Sequence, residues 1–381
     1  MKTYLACMGT RPEIIKMAAV HRIIKEGGDR VVVLHTGQHE AIAHVLYKFF
    51  DMGPDIQIDL QRRSARLGDL TAALLEEVDR IVDEVRPDAV LVQGDTTSAL
   101  VGAMAGYYHD IPVAHIEAGL RTGERDPFPE EKNREMIGRL AHWHFPPTAQ
   151  ARRNLIGEGI AQERIFLVGN TVIDTALWVN ERIASGAFDA SNTMPNHLRN
   201  FLIEHPEQRM LLVTAHRREN WGQPIRDIAS AVCLMLLDHP DLIAVWPVHP
   251  NPTVRQDVEA VMNTLSSTVR SRICLTESLD YPALIAVLAR CYFTLTDSGG
   301  IQEEASAMAR PVLIARNSTE RQELLQAGGA SLVGTSVDCI AEEASKLLTQ
   351  VAIYQAMQLT TSPFGDGFSA QRIADVLAET H

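Results

Sequence analysis

Two adjacent glycines stand in "TDSGGIQEEA" (residues 296–305), after the β-rich run "YFTLT" and ahead of a helical pattern. At a helix start, Ser298, Gly299 and Gly300 would offer unpaired backbone N–H groups with no Cβ in the way, which suits a phosphate. The string is neither G-x-G-x-x-G nor a lysine-closed P-loop. Glu304, near the end of the first helical turn, lies too far round to meet the same anion favourably. A carboxylate there can instead accept from vicinal hydroxyls, as an acid does on a ribose. The plainer reading of Glu303 and Glu304 is compensation of the helix dipole.

Similar chemistry recurs elsewhere. In "MGTRPEIIK" (8–16), Thr10 and Glu13 have capping-box spacing and Pro12 falls in the first turn, where its missing N–H costs nothing. Arg11, with Lys16, is either a solvated side chain on a well-capped helix or a cation aimed at a phosphate. "VQGDTTSAL" (92–100) ends on Gly94-Asp95, and Asp95 is either a helix cap or a functional acid. Glu117 in "AHIEAGLRTGERDPFPEEKNREM" ends a strand of buried type, where an unpaired carboxylate is costly. Glu130 and Glu131 follow at the next helix start, a favourable place for negative charge. His216 in "TAHRRENWG" lies beside Arg217 and Arg218, a grouping that favours an anion. His249 in "PVHPNP" serves either its own loop or a ligand.

Short β-rich runs alternate with amphipathic helical segments, which predicts α/β units with parallel sheets. A first series reads "TYLACM", "RVVVLHT", "AVLVQGD", "IPVAHIE", "WHFPP" and "RIFLVG". A second reads "RMLLVTAH", "LIAVWPVH", "RICLTE", "YFTLTD", "RPVLIA" and "ASLVGT". The polar residues above fall at the C-terminal strand ends, where open parallel sheets bind ligands. The expected boundary lies near residue 170, followed by a helical connection. At 381 residues two domains are expected, and a cleft between them would be a natural small-molecule site.

A net charge of −13 argues against general nucleic-acid binding but leaves room for a small anion held by local arginines. The five scattered cysteines show no C-x-x-C spacing, so neither a disulfide framework nor a zinc site is expected. The N-terminus carries no cleavage-site pattern, and the most apolar stretch, 228–237, is too short for a bilayer. A soluble, cytoplasmic protein is expected, without membrane partners.

Taken together, the blocks "GTRPEIIKMA", "TGQH", "VQGDTTS", "HIEAGLRT", "PFPEEKNRE", "GNTVIDT", "TAHRRENWG", "PVHPNP", "TDSGGIQEEA", "TERQE" and "SPFGDG" closely resemble the non-hydrolysing UDP-N-acetylglucosamine 2-epimerase family. They run in order from residue 8 to 367. The resemblance implies a GT-B-like fold of two Rossmann-type domains, 1–169 and 170–365, with a last helix at about 366–381 returning to the first. It implies reversible interconversion of UDP-GlcNAc and UDP-ManNAc, no metal, no other cofactor and a homodimer. By motif, Asp95, Glu117 and Glu131 would be the acid/base carboxylates and His216 would act at the leaving phosphate. Arg11, Ser298, Gly299, Gly300 and Arg321 would hold the diphosphate, Glu304 the ribose, with Lys16 nearby.

The sequence departs from the pattern of members activated by a second substrate molecule. Gln38-His39 is followed by Glu40, Ala41 and Ile42, and Ser64 stands where an arginine is expected. Gln38, Arg217 and His249 remain as possible effector-site residues, so half of that pocket is kept. The C2–H of this sugar is not alpha to a carbonyl, which leaves elimination of UDP to a 2-acetamidoglucal and re-addition as the expected route. Alternatives are a hydrolysing variant, an epimerase for a related UDP-sugar such as a diacetamido uronate, a GT-B glycosyltransferase, and a catalytically silent UDP-sugar sensor.

Overall fold

The computed structural model describes residues 1–37, 40–60, 64–125 and 127–379, without the side chains of residues 40–42. The chain forms two compact units, residues Met1–Thr175 with Phe364–His381, and Ala176–Pro363.

The first unit contains β1 (Thr3–Met8), β2 (Arg30–His35), β3 (Ile56–Gln57), β4 (Ala89–Gln93), β5 (Val113–Ile116) and β6 (Trp143–Phe145). The second contains β7 (Arg209–Thr214), β8 (Leu242–Pro247), β9 (Ile273–Thr276), β10 (Phe293–Thr296), β11 (Val312–Ile314) and β12 (Ala330–Leu332). The sheet orders are β3-β2-β1-β4-β5-β6 and β12-β11-β10-β7-β8-β9, and the strand pairings are parallel. Counted within each unit, the order is the same doubly wound one. Its topological switch point falls between β1 and β4 in the first unit, and between β7 and β10 in the second. Loops leaving those strands diverge and open a crevice.

Strands covered on both faces need apolar side chains on both, and "LACM" of β1 and "AVLVQ" of β4 are buried throughout. Each such leucine or valine contributes about 1.5–3 kcal/mol by leaving water. The helix Thr97–Tyr108 lies close against this sheet because Gly102 and Gly106 carry no side chain. A Cβ on Gly106 would come within 2.8 Å of Val113. The C-terminal helix Ser369–Glu379 packs in the first unit, where Asp174 Oδ1 accepts from the Ala370 N–H at 2.7 Å. Among the described residues, no helix is long and apolar enough to cross a membrane.

The run "RIFLVG" is not the strand its composition suggests. It touches β6 through a single bridge, His144 to Ile165. Phe166 and Val168 donate to the carbonyls of His144 and Pro146. Pro146 and Pro147 have no N–H to return, so the ladder stops. The two-residue β3 was missed because it is too short for an alternation to register.

Candidate active site

β4 and β5 are neighbours, with Gln93 in register with Ile116. Asp95 and Glu117, just past their ends, therefore share one edge of the first sheet. Glu117 sits at φ 64°, a left-handed conformation that costs a residue with a side chain on the order of 1–2 kcal/mol. Strain of this kind persists only where the surroundings over-determine it, and it clusters at functional sites. The residue is only 8% exposed. Its Oε1 is ion-paired with Lys16 Nζ and accepts from Asn170 Nδ2 at 3.0 Å, while Oε2 accepts from Gln93 Nε2. Lys16, expected near the diphosphate, is paired with this carboxylate.

Asp95 faces Arg134 Nη2 at 2.7 Å and its backbone carbonyl accepts from Asn133 Nδ2. Burial pushes the Asp95 carboxyl above the usual carboxylate range, the Glu117 charge adds to this, and Arg134 opposes it. A raised carboxyl holds its proton closer to neutrality, as a general acid must. The neighbouring helix is capped by Thr96, whose hydroxyl accepts from the Ala99 N–H, which releases Asp95 from that duty. Glu131 accepts from the N–H groups of Thr122 at 3.0 Å and Gly123 at 3.1 Å. Arg134 also reaches Glu131 at 3.4 Å, so one guanidinium joins two of the three expected carboxylates.

Buried groups behind these residues hold the loops in place. Glu13 accepts from the N–H groups of Gly9 (3.0 Å) and Thr10 (2.7 Å), and from the Thr96 hydroxyl (2.6 Å). It therefore ties the loop after β1 to the loop after β4 across the switch point. His115 donates from Nε2 to the Gly94 carbonyl at 2.8 Å, and burial pushes its pKa down to about 3, so it is a neutral strut. Arg11 is the first residue of the helix Arg11–Glu26, at its positive end.

The second unit repeats the device. Asp297 follows β10 and is 0% exposed. Its Oδ2 accepts from the N–H groups of His216 and Arg217 and from Asn220 Nδ2, each at 2.9 Å. Arg217 Nε donates to the Asp297 carbonyl, and His216 Nδ1 lies 3.3 Å from Asp297 Oδ1. Partial desolvation holds His216 below the usual histidine range, the Asp297 charge opposing it. Half of the His216 side chain, 48%, stays open to solvent. His249 accepts at Nδ1 from the Asn251 N–H within its own turn, and its ring lies 5.8 Å from that of Trp221.

Ser298, Gly299 and Gly300 form the expected turn, with Ser298 at the N-cap of the helix Gly299–Ala307. The two glycines differ in purpose. A Cβ on Gly299 would press on Arg321 Cζ at 3.2 Å, whereas one on Gly300 would meet no protein atom within 4 Å. Gly299 lets Arg321 lie over the turn, and Gly300 keeps a space clear above it. The two glutamates differ as well. Glu303 is buried and paired with Arg321 Nη2 at 2.8 Å, so it aims the guanidinium. Glu304 is buried one residue further on.

The structure therefore groups Arg11, Lys16, Asp95, Glu117 and Glu131 in the first unit. It groups His216, Arg217, His249, Ser298, Gly299, Gly300, Glu304 and Arg321 in the second. Gln38 lies outside the described residues. Ser64, in the place of the expected arginine, donates to Asp69. Sequence reasoning assigned no role to Asp297, Gln93, Asn170 or Arg134. Asp297 ends a strand of buried type, the same signal that singled out Glu117.

The sequence profile of the UDP-N-acetylglucosamine 2-epimerase family matches residues 22–378. A UDP-N-acetylglucosamine 2-epimerase of Yersinia pestis is 39% identical over 375 residues, covering 98% of this chain and 97% of that protein. The crystal structure of UDP-GlcNAc 2-epimerase from Neisseria meningitidis bound to UDP-GlcNAc superposes with a TM-score of 0.86 at 31% identity, over 99% of this chain and 100% of that one. The Methanocaldococcus jannaschii UDP-GlcNAc 2-epimerase in complex with UDP-GlcNAc and UDP gives a TM-score of 0.78 at 30% identity, over the full length of both chains.

Proposed function

This chain belongs to the UDP-N-acetylglucosamine 2-epimerase family, and from that premise we propose that it interconverts UDP-GlcNAc and UDP-ManNAc by eliminating and re-adding UDP. The observation that carries this reading is the pair Asp95 and Glu117 at adjacent strand ends, one raised by burial and the other held in a strained turn by Lys16 and two amides.

As the C1–O bond to UDP breaks, its electron pair leaves with the diphosphate and positive charge grows at C1. That charge acidifies the C2–H, and a carboxylate removes the proton to give 2-acetamidoglucal and UDP. Re-addition of UDP, with a proton delivered to the opposite face of C2, yields the epimer. Carboxylates also stabilise the oxocarbenium character, as in glycoside cleavage. Arg11, Arg321 and His216 stabilise the departing diphosphate. Ser298, Gly299 and Gly300 supply the N–H cradle, and Glu304 takes the ribose hydroxyls.

Incubation with UDP-GlcNAc in D2O, followed by NMR, tests this directly. UDP-ManNAc deuterated at C2 is the expected product. Free ManNAc would mean the hydrolysing reaction, and absence of exchange would remove this substrate. The cradle has its own test. Gly300→Ala should leave the melting temperature unchanged, because the new methyl meets no protein atom. It should weaken UDP about tenfold or more by occupying phosphate space, and raise the ratio of free glucal and UDP to epimer. A variant binding UDP normally by calorimetry would contradict the phosphate role.

A further inference from the structure

Glu117 touches two neutral side chains to which the sequence assigned no role. Gln93, the last residue of β4, donates Nε2 to Oε2. Asn170, at the start of the helix Thr171–Ala184, donates Nδ2 to Oε1 at 3.0 Å. Both are buried, at 2% exposure each. The orientation of the Asn170 amide is not free. Its Oδ1 accepts from the Val172 N–H at 3.1 Å, and only the oxygen of an amide can do that, so the NH2 must face Glu117. Its backbone N–H donates to the carbonyl of Phe364 at 2.6 Å, which fixes the residue from behind.

We propose that Asn170 and Gln93 are positioning residues for the reaction: their side-chain N–H groups hold the Glu117 carboxylate in one orientation and in its ionised form. The assignment rests on Glu117 acting at the sugar. A carboxylate that accepts hydrogen bonds only in its charged form is favoured in that form. An amide does this without adding a titrating group of its own. The Lys16 ion pair and Asn170 both engage Oε1, while Gln93 engages Oε2, so the two amides act on both oxygens of the carboxylate. Charged and titratable groups that act on Glu117 include Lys16 on the Arg11–Glu26 helix, Asp95 past β4 and His115 on β5. Lys16 and Asn170 contact the same oxygen, so a change at position 170 alters the balance at Oε1 itself.

Asn170→Asp is the discriminating variant. It is isosteric, and aspartate is a good N-cap, so the bond from Val172 and the local turn survive. It replaces a donor with an acceptor beside Oε1, so two carboxylates must share a proton there. The acid limb of kcat/KM for epimerisation should move up by about 1–2 pH units. Activity should fall several-fold or more at about pH 5, and the deficit should close by about pH 8. UDP affinity should stay near wild type, while the melting temperature should fall by a few degrees at neutral pH and recover toward acid, as a raised buried carboxyl demands. Gln93→Glu should shift the same limb in the same direction. An even loss across pH, or no shift, would overturn the proposal, since a purely structural role predicts one of these. The 13C signal of the Glu117 carboxyl, assigned by its absence in Glu117→Gln, gives a readout independent of turnover and should titrate higher in Asn170→Asp. If the wild type fails to epimerise UDP-GlcNAc, the substrate reading falls, while an unmoved 13C titration would overturn the role of Asn170.

Discussion

Glu117→Gln is expected to slow C2–H exchange in UDP-GlcNAc by about 10²–10⁴-fold, the range of a lost general acid or base. The substitution is close to isosteric and the site can absorb it. The amide oxygen can still accept from Lys16 and Asn170. On the other side, Gln93 can rotate its amide to present oxygen to the new NH2. What disappears is the charge and the basicity, so UDP affinity should stay near its wild-type value, while loss of this counter-charge to the largely buried Lys16 should lower the melting temperature by several degrees. Exchange in D2O, UDP titration calorimetry and thermal melting measure the three quantities. A variant retaining more than about a tenth of the exchange rate would remove Glu117 from the chemistry. Asp95→Asn and Glu131→Gln belong to the same series. Glu131 has a further consequence, because its carboxylate also holds the Thr122 and Gly123 N–H groups.

Asp297→Ala should produce a large loss of stability in the second unit. One buried oxygen accepts from two backbone N–H groups and from Asn220. Truncation leaves those donors unsatisfied in a place water does not reach, at about 1–3 kcal/mol each. With partial relaxation, a total of about 3–5 kcal/mol is expected. That corresponds to a melting temperature lower by roughly 10 °C. The same loop carries His216 and Arg217, so UDP-sugar turnover should fall with it. Asp297→Asn keeps one acceptor oxygen and should lose much less stability. Equal melting temperatures for the two variants would show that the shared oxygen does not organise the loop.

Much of the fold was legible because its signals are local. Eleven of the twelve strands among the described residues coincide with β-rich runs read along the chain. Helix starts were legible at Thr10 and Glu13, where the expected capping box forms. "RIFLVG" misled because composition reports propensity, while a ladder needs a partner with N–H groups to give. Asp95 as a cap was a fair local reading, yet Thr96 took the position. Glu303 and Glu304 looked alike in sequence, and only the placement of Arg321 separates them.

What the sequence determined by itself is the set of chemical groups and their placement at strand ends. Alternating β and helical segments dictate parallel sheets, and the motifs then fall at the C-terminal edges, where such sheets bind ligands. Family membership follows from the same strings. The tertiary structure alone decided which groups meet. Glu117 receives its hydrogen bonds from residues 101, 24 and 53 positions away. Asp297 receives its own from residues 81, 80 and 77 positions away. No local pattern encodes such pairs, because they arise from the strand order, which places β1 beside β4 and β7 beside β10. The physical reason is the cost of burying charge. A carboxylate at a strand end can stay ionised in the interior only where the sheet order delivers donors to it. At Glu117 those donors include Lys16, Gln93 and Asn170, and at Asp297 they come from the loop after β7.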